Sequence, residues 1–291
     1  MRRLIATVTF AILLCTALHA QTHTRLYACA LANDDPSAFM GGSSIGSGLW
    51  TSDDSGATWK HIGWSHVKCY SVSVVDSSFG QTLYLACGNG CMRSTDAGEH
   101  WRMLTDWRIA EVMDVAIDQR SPGHLTIATA TGLWTSNDSG EHWSELGPRE
   151  FREHLFYDSS TGNITELNAV RLADGRLTTL SAEGGVYIGG KLIVRPLPKR
   201  GGLWSIAAVP RTLYVGGERG VYHVDTTYAA HLISRSPRNA QAMAAVGNDL
   251  FVGSLSGGVW KVVPGKHDDE FVLLGLPTLQ VWSIHAAEVR K

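Results

Sequence analysis

Apolar and polar residues alternate along this chain in short runs, without helical spacing. The runs YSVSVVD (70–76), MDVAID (113–118), WSIAAVP (204–210) and QAMAAVG (241–247) are each followed by a second run: TLYLACG (82–88), HLTIATA (124–130), TLYVGGE (212–218) and DLFVGSL (249–255). A third signal follows, a Gly with two apolar residues behind it. It stands at Gly48-Leu49-Trp50, Gly90-Cys91-Met92, Gly132-Leu133-Trp134, Gly185-Val186-Tyr187, Gly220-Val221-Tyr222 and Gly258-Val259-Trp260. Period-two runs bounded by Gly, Asp and Ser predict strands joined by tight turns, hence an all-β chain.

After the third signal, three units share one phrase. Residues 52–59 read SDDSGATW, 94–101 read STDAGEHW and 136–143 read SNDSGEHW. The common part is Ser-x-Asp-x-Gly-x-x-Trp, and Asp54, Asp96 and Asp138 are spaced 42 residues apart. A fixed period of this size marks a repeat architecture. Each Asp is placed to accept hydrogen bonds from turn N–H groups. Gly56, Gly98 and Gly140 suit a positive φ. Trp59, Trp101 and Trp143 open the next strand, where the ring can fold over the hairpin.

Each unit therefore reads strand A, B, C, D, a four-stranded propeller blade. Six Gly-apolar-apolar anchors predict a single β-propeller of six blades. Seven is the alternative, with a degenerate strand hidden in residues 147–163. Residues 279–287, LQVWSIHAA, match strand A at 203–208, LWSIAA, but no strand B follows them. The missing continuation is at the front, where Thr24-Arg25-Leu26-Tyr27-Ala28 matches Thr212-Leu213-Tyr214-Val215. The last strand is thus expected to complete the N-terminal blade and to remove open sheet edges. Residues 32–47 read as a long polar loop between strands B and C.

The repeated phrase resembles the Asp-box, or BNR, repeat of β-propellers, found in bacterial sialidases, xyloglucanases, sortilin-like receptors and photosystem II assembly-factor propellers. The resemblance covers nearly the whole chain beyond its leader. It implies that the box lies on the outer C–D hairpin, away from the functional face. Asp54, Gly56, Trp59, Asp96, Gly98, Trp101, Asp138, Gly140 and Trp143 are then structural residues.

Composition narrows the function. The formal net charge of −2 and the absence of a basic run argue against nucleic-acid binding. Residues 1–20 read as a signal peptide: Arg2 and Arg3 precede an apolar stretch, and Ala20 is a suitable residue for cleavage. The propeller then spans 21–291, exported to the periplasm or secreted, with no transmembrane span. A lipoprotein signal at Cys15 is disfavoured because Leu14 is not small. Cys29, Cys69, Cys87 and Cys91 remain, and an even number in an exported chain allows two disulfides in three connectivities. No metal or other cofactor is expected, since no CxxC pair and no phosphate loop is present.

In propellers of the resembled type the D–A and B–C loops gather on one face. The D–A connections here carry Trp64, His66, Trp107, Arg108, Arg152, Arg195, Arg200 and Arg235. Trp and Arg are enriched in binding hot spots, and Arg clamps carboxylates. This mouth is the candidate surface for a protein partner or an anionic or glycan ligand. Tyr70, Trp204 and Trp282 share one repeat position, which favours packing between blades over binding. The resemblance implies a monomeric, non-catalytic scaffold or assembly role. The alternative is a glycoside hydrolase of sialidase or xyloglucanase type. No Arg-Ile-Pro segment precedes Ser52, and the loop acids Asp34, Asp35, Asp106, Glu111, Glu150, Glu153 and Asp158 show no pairing by sequence.

Overall fold

A computed structural model describes residues 22–32, 46–65, 67–77, 80–118, 121–129, 132–145, 169–171, 177–180, 186–188, 191–194, 203–209, 212–225, 227, 229–263 and 269–290. The expected signal peptide at 1–20 lies outside them, as does most of the loop at 32–47.

The first strands are β1 (Thr22–Ala32), β2 (Gly48–Ser52) and β3 (Lys60–Ile62). Next come β4 (Cys69–Ser77), β5 (Gly80–Cys87), β6 (Gly90–Ser94) and β7 (Arg102–Met103), then β8 (Val112–Ile117), β9 (Leu125–Thr129), β10 (Gly132–Ser136) and β11 (Ser144–Glu145). The short strands β12 (Ala169–Arg171), β13 (Leu177–Leu180), β14 (Val186–Ile188) and β15 (Lys191–Val194) follow. The last stretch holds β16 (Leu203–Val209), β17 (Thr212–Gly217), β18 (Gly220–Val224), β19 (Ala230–Ser234), β20 (Ala240–Val246), β21 (Asp249–Ser254), β22 (Val259–Val263), β23 (Glu270–Gly275) and β24 (Leu279–Arg290).

Each four-stranded sheet is an antiparallel meander, and the sheets stand round a ring. Their innermost strands are neighbours: β24 beside β4, β4 beside β8, β16 beside β20, and β20 beside β24. Five blades are described through all four strands with their side chains: β24-β1-β2-β3, β4–β7, β8–β11, β16–β19 and β20–β23. The expected count of six such blades, or seven, is corrected to these five. Strands β12–β15 pair as one further four-stranded sheet, described by its backbone alone. The Gly-apolar-apolar anchor used for counting marks only a strand C. The fourth unit has that anchor at Gly185 but none of the Asp turn that ties strand C to strand D in the first three. Residues 147–163, where a seventh blade would start, lie outside the described residues.

The seam of the ring is the longest ladder among the described residues. Strand β1 pairs with β24 from Thr22↔Arg290 to Ala32↔Leu279. Such closure leaves no blade at the end of a row.

The core lies between blades. Tyr27, Cys29 and Leu49 of one blade meet Cys69, Val72, Leu83 and Met92 of the next. Leu26, Val281 and Ile284 of the first blade meet Phe251 and Val259 of the last. Phe251 is fully buried, and burying a side chain of that kind stabilises by about 1.5–3 kcal/mol. Hydroxyls tie innermost strands across the same gaps: Ser73 Oγ donates to Val115 O (2.6 Å), Ser205 Oγ donates to Ala240 O (3.1 Å), and Ser283 Oγ accepts from Val72 N (3.3 Å).

Candidate binding face

The three Ser-x-Asp-x-Gly-x-x-Trp turns share one hydrogen-bond pattern. The Ser hydroxyl donates to the carboxylate at 2.7 Å (Ser52 to Asp54), 2.8 Å (Ser94 to Asp96) and 2.8 Å (Ser136 to Asp138). The same hydroxyl accepts from the turn glycine's N–H. One carboxylate oxygen accepts the N–H four residues on, from Thr58, His100 or His142. The other accepts from the Thr58 hydroxyl or pairs with Nδ1 of His100 or His142. The Thr58 hydroxyl and N–H hold the Asp54 carboxyl down at about 2. The neighbouring N–H and imidazole push Asp96 and Asp138 down further still. Positive φ occurs at two successive residues, Ser55-Gly56, Ala97-Gly98 and Ser139-Gly140, not at the glycine alone.

The tryptophans of these turns reach beyond their own hairpins. Trp59 and Trp101 donate Nε1–H to the carbonyls of Gly56 and Gly98, while Trp143 donates to Leu104 O in the preceding blade. The expectation of a ring folded over its own hairpin is thus only part of the packing, because the rings also lie against the blade before. Asp225 plays a related part without the phrase. It accepts from Thr227 N, Thr227 Oγ1 and Ala229 N and pairs with His231 Nε2 at 2.6 Å.

Successive strands of a blade run antiparallel, so the C–D turn and the D–A connection lie at opposite ends of strand D. Trp64 and Trp107 stand on two consecutive D–A connections, 59% and 85% exposed. Trp64 precedes Cys69, the first residue of β4, by five residues, and Trp107 precedes Val112, the first of β8, by the same five. The two positions therefore correspond, a regularity hidden in the sequence by unequal spacing from the preceding Trp. Around Trp107 the chain makes an Asp-led turn: Asp106 accepts from Arg108 N (2.9 Å) and from Ile109 N (3.0 Å). Ile109 is buried beneath, which turns Trp107 outward. Trp64 borders an apolar crevice with Leu49, Ile62, Val67, Met92 and Trp101.

The expected basic mouth is only partly described. Arg108 is spent on its neighbour, since its guanidinium contacts both Asp106 oxygens, at 3.3 and 3.0 Å from Nε and 2.5 Å from Nη2. These hydrogen bonds lower the Asp106 pKa and raise that of Arg108. Asp106 is therefore an ion-pair partner and a poor proton donor. Arg235 is exposed at the start of another D–A connection. His66, Arg152, Arg195 and Arg200 lie outside the described residues, as do Asp34, Asp35, Glu150, Glu153 and Asp158.

Cys29, Cys69, Cys87 and Cys91 are free, buried thiols, so the two disulfides that their even number allows are not formed. Cys69 and Cys87 do face each other across β4 and β5. Cys87 Sγ donates to Gly90 O at 3.0 Å, and burial raises the thiol pKa of Cys29, Cys87 and Cys91. Asp96, Glu99 and His100 bring ligand atoms within 4.8 Å of one another. Both Asp96 oxygens are already engaged by the turn, so this cluster is part of the hairpin. Among the described residues no helix is long and apolar enough to cross a membrane.

One feature of this end of the ring escaped sequence reasoning. The innermost strand of every blade described with side chains has a bulge near this end, one residue after its pairing begins in four of them and three residues after in β24. The ladder passes from Cys69 to Ser71, Val112 to Asp114, Leu203 to Ser205, Ala240 to Ala242, and Val281 to Ser283. The extra residues are Tyr70, Met113, Trp204, Gln241 and Trp282. The repeated aromatics were visible in the sequence. Met113 and Gln241 were not, because a bulge fixes a position and leaves the residue type open.

No family model matches the chain, and no curated protein matches it. Several solved structures do. The nidogen/laminin complex aligns over 92% of this chain and 98% of its own, at 10% identity and a TM-score of 0.59. The extracellular domain of a hybrid two-component system from B. thetaiotaomicron aligns over 89% of this chain and 35% of its own, at 16% identity and a TM-score of 0.54. YCF48 bound to D1 peptide aligns over 79% and 76%, at 14% identity and a TM-score of 0.49. The first two likenesses are likenesses of fold, and that fold is the β-propeller.

Proposed function

We propose that this protein is an exported propeller that binds a protein partner through its D–A loop face, in a scaffold or assembly role and without catalysis. The observation that carries the reading is the pair of exposed tryptophans, Trp64 and Trp107, at corresponding positions on consecutive connections. Large aromatic side chains left in water on one face are typical anchors for a partner. The engagement of Arg108 by Asp106 weighs against an anion as the main ligand of that region. The fold is shared with a chain of the nidogen/laminin complex and with an extracellular bacterial domain, which supports partner binding and export. Residues 1–20 serve as the signal peptide in this reading, and the three Asp turns serve stability. In this reading Arg235 belongs to the rim, and His66, Arg152, Arg195 and Arg200 remain candidates for it by their place in the sequence.

The test is affinity capture from the exporting cell, with wild-type protein beside a Trp64→Ala/Trp107→Ala variant. A partner identified with the wild type is then purified and titrated against both proteins. The double variant is expected to lose most of the affinity. Equal affinity of the two proteins for that partner defeats the proposal, and so does turnover of a glycan by the purified protein.

A further inference from the structure

We propose that the bulged ends of the innermost strands form a seat for a neutral sugar ring, distinct from the exposed tryptophans of the partner face. Five innermost strands place one extra residue each at the same level of the ring: Tyr70, Met113, Trp204, Gln241 and Trp282. A bulge re-aims a side chain that a regular ladder would bury between blades, and bulges are over-represented beside functional sites. None of the five side chains is charged, and three are aromatic.

The order round the ring brings chemistry together. Strand β24 neighbours both β4 and β20, so Trp282 stands between Tyr70 and Gln241. The rings of Tyr70 and Trp282 meet edge to face, with centroids 5.7 Å apart and planes at 72°. That arrangement makes an aromatic corner. Beside it, Gln241 is only 6% exposed. Its Oε1 and the Nε1–H of Trp282 are both buried, and neither has a hydrogen-bond partner among the described residues. Buried polar atoms are nearly always paired in native proteins, so two orphans on neighbouring innermost strands call for an occupant.

The kind of orphan selects the ligand. A carboxylate or phosphate uses donors only, and an ammonium uses acceptors only. Here one acceptor and one donor lack partners, the demand of hydroxyl groups, which both give and accept, and a ligand reaches them as the Gln241 and Trp282 side chains turn toward it. A pyranose meets both parts of the site at once. Its C–H face lies on an aromatic ring, and its edge hydroxyls reach outward to the amide oxygen and the indole N–H. Sites of this composition, apolar and aromatic with a few fixed polar atoms, are the usual form of a small-molecule seat. A peptide amide also offers one donor and one acceptor, but it lacks the stacked C–H face that the Tyr70–Trp282 corner fits.

The experiment is an NMR titration of the tryptophan indole N–H resonances with cellohexaose, maltohexaose and an acetylated tetraglycine amide, each into the millimolar range. A neutral hexasaccharide is expected to shift the Trp282 resonance saturably. Gln241→Leu, read on the same resonance, and Trp282→Phe, read by titration calorimetry with the same hexasaccharide, are each expected to weaken that binding roughly tenfold or more, one lost hydrogen bond of about 1.4 kcal/mol. If Gln241→Leu lowers the melting temperature too far, Gln241→Met keeps the chain length and removes the acceptor. Trp64→Ala/Trp107→Ala is expected to leave the sugar titration unchanged, which separates this site from the partner face. The proposal fails if neither hexasaccharide shifts Trp282, if the shift survives loss of the Gln241 amide, or if the peptide alone binds.

Discussion

The indole of Trp101 lies directly on Gly63. A Cβ built at Gly63 would come within 2.7 Å of Trp101 Nε1, and Trp59 approaches Gly275 in the same way, at 2.4 Å. The tryptophans that follow the first two Asp turns therefore need a bare backbone at the end of strand D in the blade before, whereas Trp143 is tied there by its hydrogen bond to Leu104 O. The turn is an inter-blade clamp as much as a hairpin.

Replacing the bare position should loosen the clamp. Overpacking of this kind costs about 1–3 kcal/mol. Gly275→Ala isolates that term. Gly63→Ala adds a φ of +71°, which costs about 1–2 kcal/mol more in an L-residue. Urea unfolding followed by tryptophan fluorescence should rank Gly63→Ala below Gly275→Ala, and both below wild type. Wild-type midpoints for both variants would show that the rings simply shift aside.

The two kinds of tryptophan should separate in stability. Trp107→Ala, at a side chain 85% exposed, should change stability by less than about 0.5 kcal/mol. Trp101→Ala removes a clamp and a hydrogen bond, and should cost about 3 kcal/mol. Thermal melts of the two variants check this directly. Equal losses would mean that Trp107 is a packing residue and no part of a binding surface.

The Asp96–His100 pair gives a pH signature. The Asp96 side chain raises the His100 pKa above its ordinary 6.5. That contribution is present below the ordinary value and lost as pH rises through the raised one. The His100 N–H and ring depress the Asp96 pKa below its ordinary 3.8. That contribution is present above the ordinary value and lost as pH falls through the depressed one. The pair therefore acts between those two limits. His100→Ala should lower the melting temperature most around pH 5, and hardly at all by about pH 9. A gap that stays constant across this range would rule out the pair as its source.

The thiols should be silent until the protein unfolds. Cys29, Cys69, Cys87 and Cys91 are buried and unbridged, and burial raises the pKa of Cys29, Cys87 and Cys91, which slows their reaction further. Peptide-resolved alkylation should label none of the four in the native state and all four in denaturant. The melting temperature should not respond to a reducing agent. A disulfide-linked pair among these peptides would overturn this.

Much of the fold could be read from the chain because its determinants are local. The Ser-x-Asp-x-Gly-x-x-Trp turns rest on contacts within four residues, so the residue types spell out the geometry. The closure was legible for a related reason: β24 matches a strand A and β1 a strand B. The number of complete blades was overstated, because an anchor for strand C does not ensure four full strands. The state of the thiols was not legible, because an even count says nothing of burial between blades. The site was the least legible part. Arg108 looked free in the sequence, and only the turn at Asp106 brings its partner round. The bulges leave no mark beyond one shifted register.

The seam has a mechanical consequence. Thr22 and Arg290 are paired at one end of the β1–β24 ladder. Force applied to these two residues loads the hydrogen bonds one at a time, as a zip opens, rather than all together in shear. The ring that resists heat through its inter-blade packing should therefore yield at low tension when held by those two points. Handles placed on separate blades, such as at Trp107 and Arg235, should leave that ladder unloaded and find a stiffer body.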